Sequence, residues 1–190
     1  IILDNVLKML ESRGKIDPKN HTKNFNTLIN QIKDELMFVL KVNDFKVGIR
    51  IIKYKVTSLT RIDGINEFLG DDSYDLKLVI FNQMNQKTFK QIIANKNCQP
   101  FWEHELLINI IENNYVPQHE VLNENERIDF VKSYQITRDK LPKLNLYDPI
   151  SRYYNMKIGD IVRIYRPSPN SGIAIYYRVV VDSPVQELFS

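Results

Sequence analysis

Cysteine occurs once in the 190 residues, as Cys98, and histidine only three times. A single cysteine excludes an internal disulfide and suits a reducing compartment. His21, His104 and His119 lie far apart and share no metal-like spacing with Cys98, so neither a metal site nor any cofactor is expected. Glycine is scarce as well. Gly64, Gly70, Gly159 and Gly172 stand isolated, which leaves no glycine-rich phosphate loop, and no serine nucleophile elbow is present. No apolar run reaches the length of a membrane span, and none reads as a signal peptide. What is there, 43% hydrophobic and 26% charged residues, fits a soluble globular chain of one large domain or two small ones. Asn, Lys and Ile are abundant, as in chains encoded by AT-rich microbes or large DNA viruses.

The net charge of +3 is too small to argue for nucleic acid, but its distribution is uneven. Residues 1–100 carry 16 basic and 11 acidic side chains, residues 101–139 carry 3 and 8, and residues 140–182 carry 7 and 3. An acidic bridge between two basic blocks suits a protein of two modules, which we divide at 1–100 and 101–190.

Periodicity predicts an α+β fold. Leu3, Val6, Leu7 and Leu10 form a helical stripe that Gly14 ends, and Phe25, Leu28, Ile29, Ile32 and Leu36 form a second. Phe45, Val47, Ile49 and Ile51 alternate as a strand, then the phase slips to Ile52, Tyr54 and Val56, which predicts a bulge. Asp75–Asn82 is almost wholly apolar and reads as a central strand covered on both faces, with a helix following up to Ala94. In the second module, Leu106, Leu107, Ile110 and Ile111 suggest a helix stopped at Asn113-Asn114. Asn123 with Glu126 resembles a capping box, opening a helix with Ile128, Val131 and Tyr134 inward.

Leu141–Val181 is the most specific stretch. Asp148-Pro149 starts a short helix, because the carboxylate accepts from first-turn N–H groups and proline suits the first helical position. Asn155 is a left-handed C-cap and Gly159-Asp160 a tight turn. Arg166–Gly172 is dense in turn formers, so a hairpin loop is expected between two strands. On the second of these strands, Ile173, Ile175, Tyr177, Val179 and Val181 share one face.

Leu141-Pro142, Asp148-Pro149, Arg152-Tyr153, Lys157, Gly159, Arg166, Ser168, Gly172 and Tyr177-Arg178 recur in order and at nearly the spacing of a known pattern. This stretch resembles the C-terminal assembly module of the fifth subunit of eukaryotic and viral DNA-dependent RNA polymerases, the counterpart of the H polypeptide of archaeal RNA polymerase. Asn155 stands where that family usually has Gly, and Pro169-Asn170 replaces an acidic-hydroxyl pair. Upstream, Tyr115–Leu122 resembles the segment joining jaw to assembly module, with Gln118 in place of a basic residue. Val6–Lys15 resembles the opening helix of the eukaryotic jaw.

The resemblance implies an N-terminal jaw domain with helices on a small mixed sheet, and a C-terminal assembly module of helices plus a β-hairpin sheet. It implies no catalysis, docking on the largest polymerase subunit beside other subunits, and a jaw near downstream duplex DNA. The location implied is the nucleus for a cellular source, or host cytoplasm or virion for a large DNA virus. Candidate docking residues are Leu141, Pro142, Tyr153, Arg163, Arg166, Tyr177 and Arg178. Candidate phosphate contacts are Arg13, Lys15, Lys19 and Lys23, clustered around the first turn. The alternative is a free-standing DNA-binding or restriction-nuclease-like protein. There Asp75 and Lys77 form a D-x-K pair on one strand face, with Asp71, Asp72 or Asp63 as a second carboxylate.

Overall fold

The first apolar stripe folds as expected into α1 (Ile2–Ser12), which buries Leu3, Val6, Leu7, Met9 and Leu10. The computed structural model describes residues 1–32, 37–135, 140–169, 172–182, 184–185 and 189. It divides into one unit of Ile1–Asn109 with Phe189, and a second beginning at Ile110.

In the first unit α1 packs on α2 (His21–Ile29), and α2 packs on the edge strand β1 (Met37–Val42). The helix α2 stops sooner than its stripe suggests. Ile29 and Ile32 are exposed, and Leu36 lies outside the described residues. The Gln31 side chain explains the stop: its amide donates to the Val39 carbonyl at 2.8 Å and accepts from the Val39 N–H at 2.7 Å. A glutamine side chain thus pairs with the edge strand as a neighbouring backbone would, a bond that strand edges otherwise leave open.

The sheet runs β1-β2-β3-β4, with β2 (Phe45–Val56), β3 (Leu76–Met84) and β4 (Cys98–Trp102). The β1–β2 pair is antiparallel, and β2–β3 and β3–β4 are parallel. The predicted bulge is present: the β2–β3 register shifts between Ile52 and Lys55. The apolar run Leu76–Phe81 is buried throughout, as an interior strand with both faces covered must be. Crossovers carry α3 (Ile65–Gly70) before β3 and α4 (Gln86–Ile93) after it, α4 being capped by Asn85, which accepts from Thr88 N–H at 2.8 Å. Phe101, expected to open the second module, is the fourth residue of β4 and pairs with Ile80.

The expected helix around Leu106–Ile111 is instead two 3-10 turns, Glu103–Leu106 and Ile110–Glu112, with Leu107 and Ile108 exposed. The Asn5 side chain of α1 donates to the Leu106 carbonyl at 2.9 Å, taking an acceptor that a continuing helix would use.

In the second unit the sheet order is β5-β7-β8-β6, with β5 (Gln118–Val121), β6 (Lys143–Asn145), β7 (Ile161–Ser168) and β8 (Gly172–Val181). Apolar clusters cover both faces of its inner half. Leu144, Ile150, Met156, Val162, Ile164 and Val180 form one; Leu122, Phe130, Leu141, Ile161 and Val179 form the other. The capping box at Asn123 and Glu126 opens α5 (Glu124–Tyr134), with reciprocal bonds of 3.0 and 2.9 Å. Val131 packs inward as expected and Phe130 is buried beside it, while Ile128 and Tyr134 are exposed. Phe130 turns inward because its ring meets Tyr177 at 4.3 Å on the sheet. Asp148 caps α6 (Pro149–Tyr153) by accepting from Ile150 N–H at 2.9 Å, and Asn155 takes the left-handed φ of 53°.

Two positions give direct tests. At Gly48 an added Cβ would lie 2.6 Å from the Phe68 ring and 3.1 Å from Tyr74, so α3 approaches β2 only over a bare backbone. Gly48→Val is expected to destabilise the first unit by about 1–3 kcal/mol in urea unfolding, with Gly48→Ala in between.

His21 joins α2 to α1: Nδ1 bonds Glu11 Oε1 at 2.7 Å and Nε2 bonds Asp4 Oδ1 at 2.9 Å. Burial alone would lower the His21 pKa, but hydrogen bonds to Asp4 and Glu11 outweigh it and raise the pKa above 6.5. The hydrogen bond from His21 holds Asp4 below its ordinary 3.8. A raised histidine stabilises fully below its unfolded pKa and loses that contribution as pH rises through the folded one. A lowered carboxylate does the reverse at the acid end. The loss of thermal stability in His21→Gln should therefore be greatest between pH 3.8 and 6.5 and shrink above that window. A loss independent of pH would show that the imidazole is held without its charge.

Candidate functional site

Catalysis by Asp75 and Lys77 finds no support in their positions. Lys77 is 1% exposed, and its ammonium donates to the carbonyls of Leu69 at 2.5 Å and Asp71 at 3.0 Å, at the C-terminal end of α3. A cation there satisfies orphan helix carbonyls and is not aimed at an attacking water. Asp75 accepts from the Lys46 N–H at 2.7 Å, and Asp71 from the Ser73 N–H at 2.8 Å. Among the described residues, no group of three or more His, Cys, Asp or Glu is placed to hold a metal ion. Cys98 is buried, which pushes its thiol pKa up. No described helix is long and apolar enough to cross a membrane.

The docking candidates separate by burial. Leu141 belongs to an apolar cluster, and Tyr153 is buried, its ring edge-on to Tyr154 at 5.3 Å. Both are accounted for by the interior. Pro142 is exposed, and its carbonyl accepts from Val179 N–H at 2.9 Å, which fixes the chain entering β6.

Arg163 is half-buried in a network on one sheet face. It donates to Glu120 at 3.0 Å, while Tyr165 OH donates to the same oxygen at 2.7 Å. Its Nε reaches Tyr177 OH at 3.4 Å, and Glu126 lies 3.7 Å away. Hydrogen bonds with Tyr165 and Tyr177 raise its pKa further, and the Tyr165 bond holds Glu120 below the usual carboxylate range. Arg163 and Tyr177 therefore brace the sheet.

Arg166 lies on the opposite face, exposed, with its guanidinium 5.2 Å from the Tyr176 ring centroid. Arg178 is half-buried on that same face, pairing across to Val162. His119 also lies there. Burial lowers its pKa, its Nδ1 contacts the Pro117 carbonyl at 2.6 Å, and the charges of Arg166 and Arg178 lower it further.

The structure adds residues that sequence reasoning missed. β5 pairs with β7 only over Val162–Tyr165, and β6 with β8 only over Val179–Val181. Over Arg166–Ser168 and Gly172–Tyr176 the hairpin is therefore, among the described residues, a two-stranded ribbon running past its neighbours. On this tip Ile173 is 63% exposed, Ile175 52% and Tyr176 50%, alongside exposed Arg166 and Pro167. Alternation marked Ile173 and Ile175 as one face of a strand. Nothing in that pattern tells where the covering strands end.

The basic candidates of the first unit also separate. Arg13 donates to Gln99 Oε1 at 3.0 Å and contacts Met9 Sδ at 3.3 Å, so it ties α1 to β4. Lys15, Lys19 and Lys23 are exposed, with the Lys15 ammonium 5.7 Å from the Phe45 ring centroid.

Comparison with known proteins adds identity to this geometry. Residues 108–180 match the family model of the RNA polymerase Rpb5 C-terminal domain. The DNA-directed RNA polymerase subunit 5 of Acanthamoeba polyphaga mimivirus is 32% identical over 187 residues, covering 95% of this chain and 91% of the relative. The subunit RPABC1 of DNA-directed RNA polymerases I, II and III from Caenorhabditis elegans is 30% identical over 149 residues, covering 76% and 66%. Subunit Rpo5 of Pyrococcus abyssi is 40% identical over 74 residues, covering 39% of this chain and 90% of the relative. The match runs through the same residues, Leu141–Val180, that carry the resemblance in the sequence. Similarity to the viral relative over nearly the full length of both proteins shows that the chain belongs to the family of DNA-directed RNA polymerase subunit 5.

Proposed function

We propose that the chain is a non-catalytic subunit of a multisubunit DNA-dependent RNA polymerase. Its C-terminal module, from Ile110 onward, docks on the largest subunit beside other polymerase subunits, and its N-terminal module serves as a jaw near downstream duplex DNA. It works where its polymerase works: the nucleus of a cell, or the cytoplasm or virion of a large DNA virus. Similarity to the mimivirus subunit favours the viral setting.

One observation carries the docking part. The hairpin tip holds Ile173, Ile175, Tyr176, Pro167 and Arg166 in the open, past the strands that cover the rest of the sheet. Aromatic, aliphatic and arginine side chains exposed on a two-stranded ribbon are the kind of anchors that protein interfaces use. Leu141 and Tyr153 are buried within their own unit and are poor probes of this surface, since their loss would unsettle the fold.

The jaw part rests on the exposed Lys15, Lys19 and Lys23 in a net basic half of the chain. They would contact phosphates without reading sequence, because the aromatic interleaving of single-strand binders is missing.

Arg166→Glu combined with Ile175→Asp should leave a folded monomer by circular dichroism. Removing each anchor is expected to weaken docking by about 2 kcal/mol. A tagged double variant should therefore no longer copurify with the two largest polymerase subunits at moderate salt. Retention at the native level would remove the hairpin tip from the interface.

Reversing Lys15, Lys19 and Lys23 to Glu should reduce crosslinking of the assembled polymerase to downstream duplex. The slope of log affinity against log salt should fall by about 0.9 for each phosphate no longer neutralised. Unchanged crosslinking and slope would place the duplex elsewhere.

A further inference from the structure

The two faces of the β7–β8 ribbon carry different chemistry, and only one of them is electrically balanced. Cross-strand pairing sets Arg163 opposite Tyr177, Tyr165 opposite Ile175 and Pro167 opposite Ile173, so these share one face with Glu120 of β5. Val162 opposite Arg178, Ile164 opposite Tyr176 and Arg166 opposite Ala174 share the other, with His119 of β5.

On the first face the arginine has its counter-ions. Arg163 meets Glu120 at 3.0 Å and Glu126 at 3.7 Å. On the second, no carboxylate among the described residues pairs with Arg166 or Arg178. Asp148 is the acidic group felt by His119 there, and its carboxylate is already occupied by the Ile150 N–H at 2.9 Å.

Arg166 and Arg178 flank the row formed by His119, Ile164 and Tyr176, and the charges of both oppose a proton on His119. The register separates the two arginines by four residues, about 13 Å along the strands. Grouping like charges on one face gains the fold nothing, and an anion brought to them relieves the repulsion.

Arg166 is also presented for such a contact. It is exposed, with its guanidinium 5.2 Å from the centroid of the half-exposed Tyr176 ring. A guanidinium held over a ring is restrained while its fork of N–H donors stays open to a planar oxyanion. A nucleic-acid phosphate would fit that fork as well as a carboxylate. The other face of the ribbon decides between them, because Pro167, Ile173 and Ile175 are exposed there. Apolar side chains suit a protein surface and gain nothing against a phosphate backbone.

We propose that the face carrying Arg166 and Tyr176, extended past His119 to Arg178, is a carboxylate-binding site for an acidic segment of another polymerase subunit. This rests on the docking reading above and adds to it the charge of the partner and the face it meets.

The test uses the assembled polymerase with Arg166→Lys in the full chain. Lysine keeps the charge, and a zero-length carbodiimide condenses its amine with a carboxylate in direct contact, a reaction closed to arginine. Mass spectrometry should find the substituted position linked to an Asp or Glu of another subunit. Assembled polymerase with links from other lysines but none from this position would overturn the site. So would formaldehyde linkage of this position to the DNA duplex in place of any carboxylate.

In a second arm, wild-type chain and Arg166→Gln, both folded by circular dichroism, compete at equal input for incorporation into polymerase. The variant should be incorporated roughly tenfold less, as for the loss of a charge-assisted anchor. Equal incorporation would overturn the proposal. Failure of the wild-type chain itself to copurify with polymerase would instead sink the subunit reading, so the two failures are told apart.

Discussion

Every buried backbone N–H and C=O must find a partner, and in this chain that requirement fixes where side chains are spent and where they are left over. In the first unit, β3 is buried on both faces and its backbone is satisfied on both sides by β2 and β4. The same requirement falls on the elements around it. The carbonyls ending α3 are met by the Lys77 ammonium, and the edge of β1 by the Gln31 amide. A lysine inside an apolar strand looks like a functional group until its partners are seen. Here it closes the end of a helix.

The same logic sorts the remaining charges. His21, Arg13 and Arg163 are each engaged by groups of their own unit: two carboxylates of α1, Gln99 of β4, and the Glu120–Tyr165 pair. Such groups are already desolvated and oriented, so a partner would have to break internal bonds to use them. Arg166, Lys15, Lys19 and Lys23 remain in solvent, where a partner meets no such cost. Exposure separates side chains free to meet a partner from those that brace the fold among residues of one chemical type.

Local structure was legible in the sequence wherever a local rule governs it. The Asp148-Pro149 start, the left-handed Asn155, the Asn123–Glu126 box, the β2 bulge and the buried β3 each follow from a few adjacent residues. Reading failed where a distant group intervened. Asn5 takes the Leu106 carbonyl from across the unit, so an apolar spacing suited to a helix becomes two 3-10 turns. Phe130 is drawn inward by Tyr177, which lies far along the chain, so the buried face of α5 keeps Val131 but is turned away from Ile128 and Tyr134. The contact of Phe89, Trp102 and Phe189 was illegible for the same reason, since these rings meet only in three dimensions.

A motif that identifies a family need not be the surface through which the family acts. Leu141, Asp148-Pro149, Tyr153 and Gly159 carry much of the resemblance, and each has a task inside its own unit: core, helix cap, core, and a positive-φ turn. Their spacing persists because the hairpin, helix and cap must fit one another. The open tip, by contrast, owes its exposure to where β5 and β6 stop, a property of sheet length and not of any residue in the tip. Ile173 and Ile175 are spared burial because, among the described residues, no third strand reaches them, and the fold places no demand on them as apolar residues. Apolar side chains exposed at positions where the fold itself gains nothing from them point to an outside partner, which makes the ribbon tip a stronger docking candidate than the motif that reveals the family.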